Sequence, residues 1–238
     1  MKYTLLLLII SGHCVSQESK LIIERLVGDL YIYQTFHEYE GDRISANGMY
    51  LLTKDGAVLF DTPWDTTQFQ PLLDSIWIRH RSLVTMCLVT HFHEDRTAGL
   101  EYYKNRHILT YSTKMTDDLS KAHNMKRSEY IMPLDNTFSV GQYSFETFYP
   151  GPGHSQDNIV IWFPKDKVLY GGCFVKCSEA NDLGNLSDAN PVAWKRSMMK
   201  LIAKYNNWKY VIPGHHHWKD RTALSQTLRL IENHLQAK

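Results

Sequence analysis

The stretch Thr90-His91-Phe92-His93-Glu94-Asp95-Arg96 brings two imidazoles and a carboxylate, His91, His93 and Asp95, close together along the chain. It directly follows Leu83 to Val89, an apolar run that predicts a buried strand. Two histidines one residue apart and an aspartate two further on cannot share one helix face, whereas a loop leaving a strand end can turn all three inward. Neutral imidazoles with a carboxylate suit zinc, a cation of borderline softness. Alone, such a string is also what an ordinary surface loop can contain.

Three further segments add donors at similar places. Pro150-Gly151-Pro152-Gly153-His154-Ser155 sets a histidine in a tight turn after a strand, Gly171-Gly172-Cys173 sets a cysteine where Val168 to Tyr170 ends, and Pro213-Gly214-His215 sets another histidine just past a strand. Each alone reads as a turn residue. Together they put donors at strand exits, where side chains can converge on one sheet edge. His215, His216 and His217 are consecutive, and spacing from Pro213-Gly214 selects His215. Cys87, Cys173 and Cys177 remain once Cys14 leaves with a leader, an odd number that is not a disulfide framework. At least one thiol needs another use, and metal ligation is the first candidate. Cys87, inside an apolar strand, reads as core, and Cys177 as a partly buried free thiol.

The elements that must position these residues mix both types. Leu30 to Phe36, Met49 to Leu52 and Ala57 to Phe60 read as strands, separated by turns or loops at Glu40-Gly41-Asp42 and Lys54-Asp55-Gly56. Phe69, Leu72, Leu73 and Ile76 recur at helical spacing. Tyr143 to Phe148, Ile159 to Phe163, Val168 to Tyr170 and Tyr210 to Ile212 are further strands. Asn190-Pro191 starts a helix with the stripe Trp194, Met198, Leu201 and Tyr205, and Leu224, Leu228, Ile231 and Leu235 mark a terminal one. The expectation is one α/β domain with layers of both types over residues 17–238.

With HFHEDR, GPGHS, GGCFVK, LGNLSDAN and IPGHH in this order, the chain resembles the metallo-β-lactamases, subclass B1, over nearly its whole length. The resemblance implies a four-layer αβ/βα sandwich and two Zn2+ ions. It implies that His91, His93 and His154 hold the first zinc and Asp95, Cys173 and His215 the second, Asp95 being also the catalytic carboxylate. The wider superfamily usually has a second histidine after the aspartate and an acidic residue bridging the metals. Here Arg96 and Cys173 stand in those places, which points to the lactamase branch. The implied reaction is hydrolysis of the lactam amide of penicillins, cephalosporins and carbapenems by a zinc-bound hydroxide, which confers antibiotic resistance. Two zincs less an aspartate, a thiolate and a hydroxide leave a charge of about +1, so an anionic substrate is expected.

By the same resemblance Lys176 holds the substrate carboxylate, Asn185 helps bind the lactam carbonyl, and the loop around Tyr39 to Asn47 is a mobile flap. Asp61, following a strand, is expected to orient a ligand histidine, Arg96 to act near Asp95 or Cys173, and Trp64 to line the pocket. A solvated lysine, a turn asparagine and a core tryptophan are the plainer readings of Lys176, Asn185 and Trp64.

Lys2 followed by the apolar run Leu5 to Ile10, too short to span a bilayer, reads as a signal peptide over residues 1–16, with export to the periplasm. Cys14 as a lipid-attachment cysteine is the lesser alternative. Net charge +1 gives no global field for nucleic acid or an anionic membrane, and no later segment is long and apolar enough to span one. The expected partner is a small lactam bound by a monomer. The competing readings are another hydrolase of the superfamily, such as a thioesterase, lactonase or phosphodiesterase, and a non-catalytic secreted zinc-binding protein.

Overall fold

The computed structural model describes residues 20–237. The expected signal peptide, residues 1–16, lies outside them. Seven strands form one sheet in sequence order: β1 (Leu21–Val27), β2 (Leu30–Tyr39), β3 (Asp42–Thr53), β4 (Gly56–Phe60), β5 (Val84–Leu88), β6 (Leu109–Thr113) and β7 (Tyr130–Met132). Antiparallel pairing holds from β1 to β4, and β4 to β7 run parallel. The second sheet contains β8 (Asn136–Val140), β9 (Tyr143–Phe148), β10 (Val160–Phe163), β11 (Val168–Gly172) and β12 (Tyr210–Pro213), with β12 parallel to β11 at its edge.

Apolar residues on three interfaces stack these sheets with helices. Between the sheets lie Ile32, Met49, Val58, Phe60 and Leu88 from one side, with Phe145, Ile161, Phe163 and Ile212 from the other. Outside the first sheet, α1 (Phe69–His80) and α3 (Leu100–Lys104) bury Phe69, Leu72, Ile76, Leu100 and Tyr103. Outside the second, α5 (Pro191–Lys204) and α6 (Ala223–Gln236) bury Trp194, Met198, Leu201, Leu224 and Ile231. The order helix, sheet, sheet, helix is the expected four-layer sandwich. The start of α5 follows the sequence rule, since the Asn190 side chain accepts from the Ala193 amide at 3.0 Å and Pro191 opens the first turn.

Parallel strands give the molecule two unlike ends. The C-terminal ends of β4, β5, β11 and β12 share one rim, where Ile159 donates to the Thr90 carbonyl (2.9 Å) and Asn47 to that of Gly214 (2.8 Å), lacing the sheets together. The N-terminal ends of β4, β5 and β6 form the opposite floor. The sequence reading left out β1, α2 (Glu94–Thr97), α3, β6, α4 (Lys114–Ala122), β7 and β8. The segment Tyr39 to Asn47, expected as a loop, is mostly strand, and its ladder runs out to Glu38↔Arg43 and Tyr39↔Asp42. Only Glu40 and Gly41 turn, both at positive φ (52° and 89°), the two-residue turn that matches strand twist. Main-chain pairing does not require apolar side chains, so the polar composition hid these strands.

Candidate metal centre

Five of the six expected donors leave strand ends at the rim through loops, and Asp95 lies in the short helix α2 just beyond β5. They form two adjoining clusters. In the first, His93 Nδ1 lies 3.1 Å from His91 Nε2 and 3.0 Å from His154 Nε2. In the second, Cys173 Sγ lies 3.2 Å from both Asp95 Oδ2 and His215 Nε2, which are themselves 3.0 Å apart. Asp95 spans the two, its Oδ1 standing 3.9 Å from His91 Nε2.

The outer atoms of these side chains settle which nitrogens carry lone pairs. Asp188 Oδ2 lies 3.0 Å from His93 Nε2, so that nitrogen donates and Nδ1 faces the cluster bare. Thr90 Oγ1 gives its proton to Asp61 and can only accept from His91 Nδ1 (3.4 Å), leaving His91 Nε2 bare as well. The Ser45 carbonyl accepts from His215 Nδ1 at 3.0 Å, with the same consequence for its Nε2. Burial first, then His93 beside His91 and Lys176 beside His154, holds both imidazoles well below their ordinary value and therefore neutral. Lone pairs facing one another at 3.0–3.1 Å, as between His93 and its two histidine neighbours and between Asp95 and His215, repel unless a cation lies between them. Such spacings are close to the roughly 3.3 Å edge of a tetrahedron with metal–nitrogen bonds of about 2.0–2.1 Å. The donor set therefore fits metal ions.

Arg96 closes the second cluster from behind. Its side chain is 1% exposed. Nε donates to Asp95 Oδ2 (3.0 Å), Nη2 to Cys173 Sγ (3.0 Å) and the Gly214 carbonyl (2.7 Å), and Nη1 to the Asn47 carbonyl (2.7 Å). Burial opposes ionisation of Asp95, but Arg96, with His215 and His91, holds its carboxyl well below the usual range. Burial pushes the Cys173 thiol up despite Arg96. Gly214 permits this packing, because a Cβ there would lie 2.6 Å from the Cys173 amide nitrogen and 2.8 Å from Arg96 Nη2.

Asp61 sits one layer deeper than expected. Its carboxylate accepts from the Thr90 amide (2.7 Å), Thr90 Oγ1 (2.9 Å) and Tyr170 Oη (2.6 Å), and lies 3.6 Å from Arg96 Nη1. It reaches His91 only through Thr90. Burial raises it to about 6, against the pull of Arg96, Tyr170 and Thr90.

A cavity of about 710 Å³ opens over both clusters, lined by Trp64, Lys176, Asn185 and Asp188 among others. Trp64 stacks on His37 (4.4 Å between centroids) and meets His215 edge-on (6.3 Å). Lys176 Nζ passes 5.5 Å from the Trp194 ring, and burial lowers its pKa against the opposing pull of Cys173, Asp95 and Asp182. Asn185 is exposed at the cavity edge, where its Oδ1 accepts from the Ser187 amide (2.9 Å). His216 is not in either cluster: at φ 61° it donates its amide to Ser45 Oγ and lines the cavity. Cys177 is buried in the cavity wall and Cys87 in the core.

Sequence reasoning missed Asp188, although it stands in the LGNLSDAN segment, three residues after Asn185. It also missed Asn47, whose Nδ2 donates to the Pro213 carbonyl (2.9 Å) from inside β3.

The family model described as the metallo-beta-lactamase superfamily matches residues 42–215, which carry all six donors. This chain belongs to that family. It is 43% identical over 214 residues to a metallo-beta-lactamase type 2 of Elizabethkingia meningoseptica, with 90% of this chain and 86% of the relative covered. It is 38% identical to metallo-beta-lactamase IND-1 of Chryseobacterium indologenes, with 97% of each covered. Among solved structures, metallo-beta-lactamase IND-7 superposes with a TM-score of 0.88 at 40% identity, over 91% of this chain and all of that one.

Proposed function

We propose that the chain is a subclass B1 metallo-β-lactamase that hydrolyses the lactam amide of penicillins, cephalosporins and carbapenems with two zinc ions. One observation carries the reading: two complete three-donor clusters lie side by side at the base of a cavity that also holds Lys176. His91, His93 and His154 would hold one ion, and Asp95, Cys173 and His215 the other. Bound there, zinc would supply Lewis-acid polarisation and an activated water.

The chain's own residues supply the rest. Lys176 offers a cation for the substrate carboxylate, and Asn185 a side-chain amide for the lactam carbonyl once released from Ser187. Trp64, braced by His37, gives an apolar wall against which a bicyclic substrate can lie. Asp95 keeps Oδ2 in the second cluster and turns Oδ1 toward the first, where, ionised, it can accept a hydrogen bond from a water held between the clusters. Asp188 and Thr90 fix the tautomers of His93 and His91. Residues 1–16 would direct export to the periplasm, leaving 17–238 as one monomeric domain that confers resistance there; lipidation at Cys14 is the lesser route. No helix among the described residues is long and apolar enough to cross a membrane.

The test is hydrolysis of nitrocefin and of a carbapenem by zinc-loaded protein, with and without chelator. Turnover of both that chelator abolishes is expected. Intact lactams alongside rapid thioester or lactone cleavage would replace this reading with another hydrolase of the superfamily. Tight metal binding with no hydrolysis at all would leave only a zinc-binding protein.

A further inference from the structure

Among the described residues, four of the ten large hydrophobic side chains that stand exposed fall in two short segments: Trp77 (43%), Ile78 (67%) and Leu83 (67%) from the end of α1 to just before β5, and Leu109 (39%) at the start of β6. The segments meet around a groove of about 400 Å³, lined by Leu73, Trp77, Leu83, Val84, Arg106 and Ile108. Groove and side chains lie on the floor, at the end of the parallel strands opposite the metal-centre rim.

The two segments themselves carry cations and no carboxylate, while Asp55 lies against them at the turn before β4 and Asp74 lines the groove. No aspartate or glutamate occurs from Ser75 to His93 or from Tyr102 to Thr116, while Arg79, Arg81, Lys104 and Arg106 do. Some exposed cations elsewhere pair with carboxylates: Lys114 with Asp118, Lys126 with Glu101, Lys195 with Glu232 and Lys219 with Glu24. Among the described residues no carboxylate pairs with Arg79, Arg81 or Arg106. Arg81 and Arg106 instead lie 5.7 Å and 3.5 Å from the rings of Trp77 and Tyr102. The one carboxylate of the groove, Asp74, accepts from Gln70 at 2.6 Å. His80 samples the same field: burial first, then Arg79 and Arg25, holds its pKa below the ordinary value against the weaker opposing pull of Asp29.

We propose that this floor docks on an anionic lipid surface, with Trp77, Ile78 and Leu83 entering the headgroup boundary and Arg79, Arg81 and Arg106 meeting lipid phosphates. Tryptophan and aliphatic side chains beside unpaired arginines are the composition that an anionic interface rewards, at about 1 kcal/mol for each basic residue near the surface. A chain of net charge +1 has no such attraction as a whole, so docking would be oriented by this one face. Floor-down docking leaves the rim and its cavity facing away from the membrane, open to solute.

The test is co-sedimentation of zinc-loaded protein, residues 17–238, with phosphatidylglycerol-containing vesicles and with phosphatidylcholine vesicles. Binding to the anionic vesicles only is expected, lost in about 1 M salt. R79E/R81E should lower the partition coefficient by about tenfold or more, and W77S/I78S should also lower it, both with metal content and cavity chemistry unchanged. Equal binding to both vesicles, no binding to either, or anionic binding that R79E/R81E leaves intact would overturn the proposal. Trp77-dependent dimerisation in light scattering, without vesicle binding, would assign the face to a second copy of the chain instead.

Discussion

The two donor clusters share a rim but are built on opposite electrostatic plans. The triple-histidine cluster is neutral and is steadied from the solvent side, where Asp188, 33% exposed, accepts from His93, 20% exposed. The Asp95–Cys173–His215 cluster contains two acidic donors and is steadied from inside by a guanidinium 1% exposed to solvent. Neutral imidazoles can be buried without a counter-charge. A carboxylate cannot, and Arg96 supplies the balance to Asp95 while hydrogen bonding to Cys173 and to main-chain carbonyls at Asn47 and Gly214 from both sheets. The first cluster is therefore tied at His93 to a solvent-facing carboxylate, whereas the second is tied through Arg96 to the folded core.

The contrast can be broken most forcefully at Arg96. Arg96→Met should destabilise the metal-free protein by about 3–5 kcal/mol in denaturant unfolding, because it strands Asp95 and Asp61 without their partner. A loss under about 1 kcal/mol would mean that the guanidinium does not integrate the second cluster with the fold. Asp188→Ala should act only on the first cluster, weakening its metal affinity by about 10–100-fold in competition with a chromophoric chelator, with unfolding little changed. An equal loss of stability would erase the distinction. Lys176→Ala lies outside both clusters and should chiefly raise KM for carboxylate-bearing lactams, by about tenfold, with kcat nearly retained. An effect confined to kcat would contradict an anchoring role. His216→Ala should leave metal binding essentially as it was, while His215→Ala should not. The reverse would move the ligand by one position.

The donors were legible because each follows an apolar strand within a few residues, and strand exits of parallel β-structure gather at one edge. The α/β class followed from the same mixture of strand and helix patterns, and the four-layer order from the resemblance to the metallo-β-lactamases. What stayed hidden depends on contacts between distant segments. Asp188 meets His93 across 95 residues, and no local spacing announces that. Asp61 was recognisable as a polar residue after a strand, but its partners, Thr90 and Tyr170, are fixed by how the two sheets pack. The β2–β3 hairpin was missed at its tip because main-chain pairing carries it there, past the point where apolar alternation fades.

The central claim is that two separable metal sites exist, the second requiring Cys173. Counting zinc per chain in purified wild-type and Cys173→Ser proteins, dialysed against limiting zinc, tests it most directly. Two ions falling to one in the variant, with lactam turnover depressed by orders of magnitude, is the predicted result. A single ion in the wild type, or two retained in the variant with near-normal activity, would contradict the account.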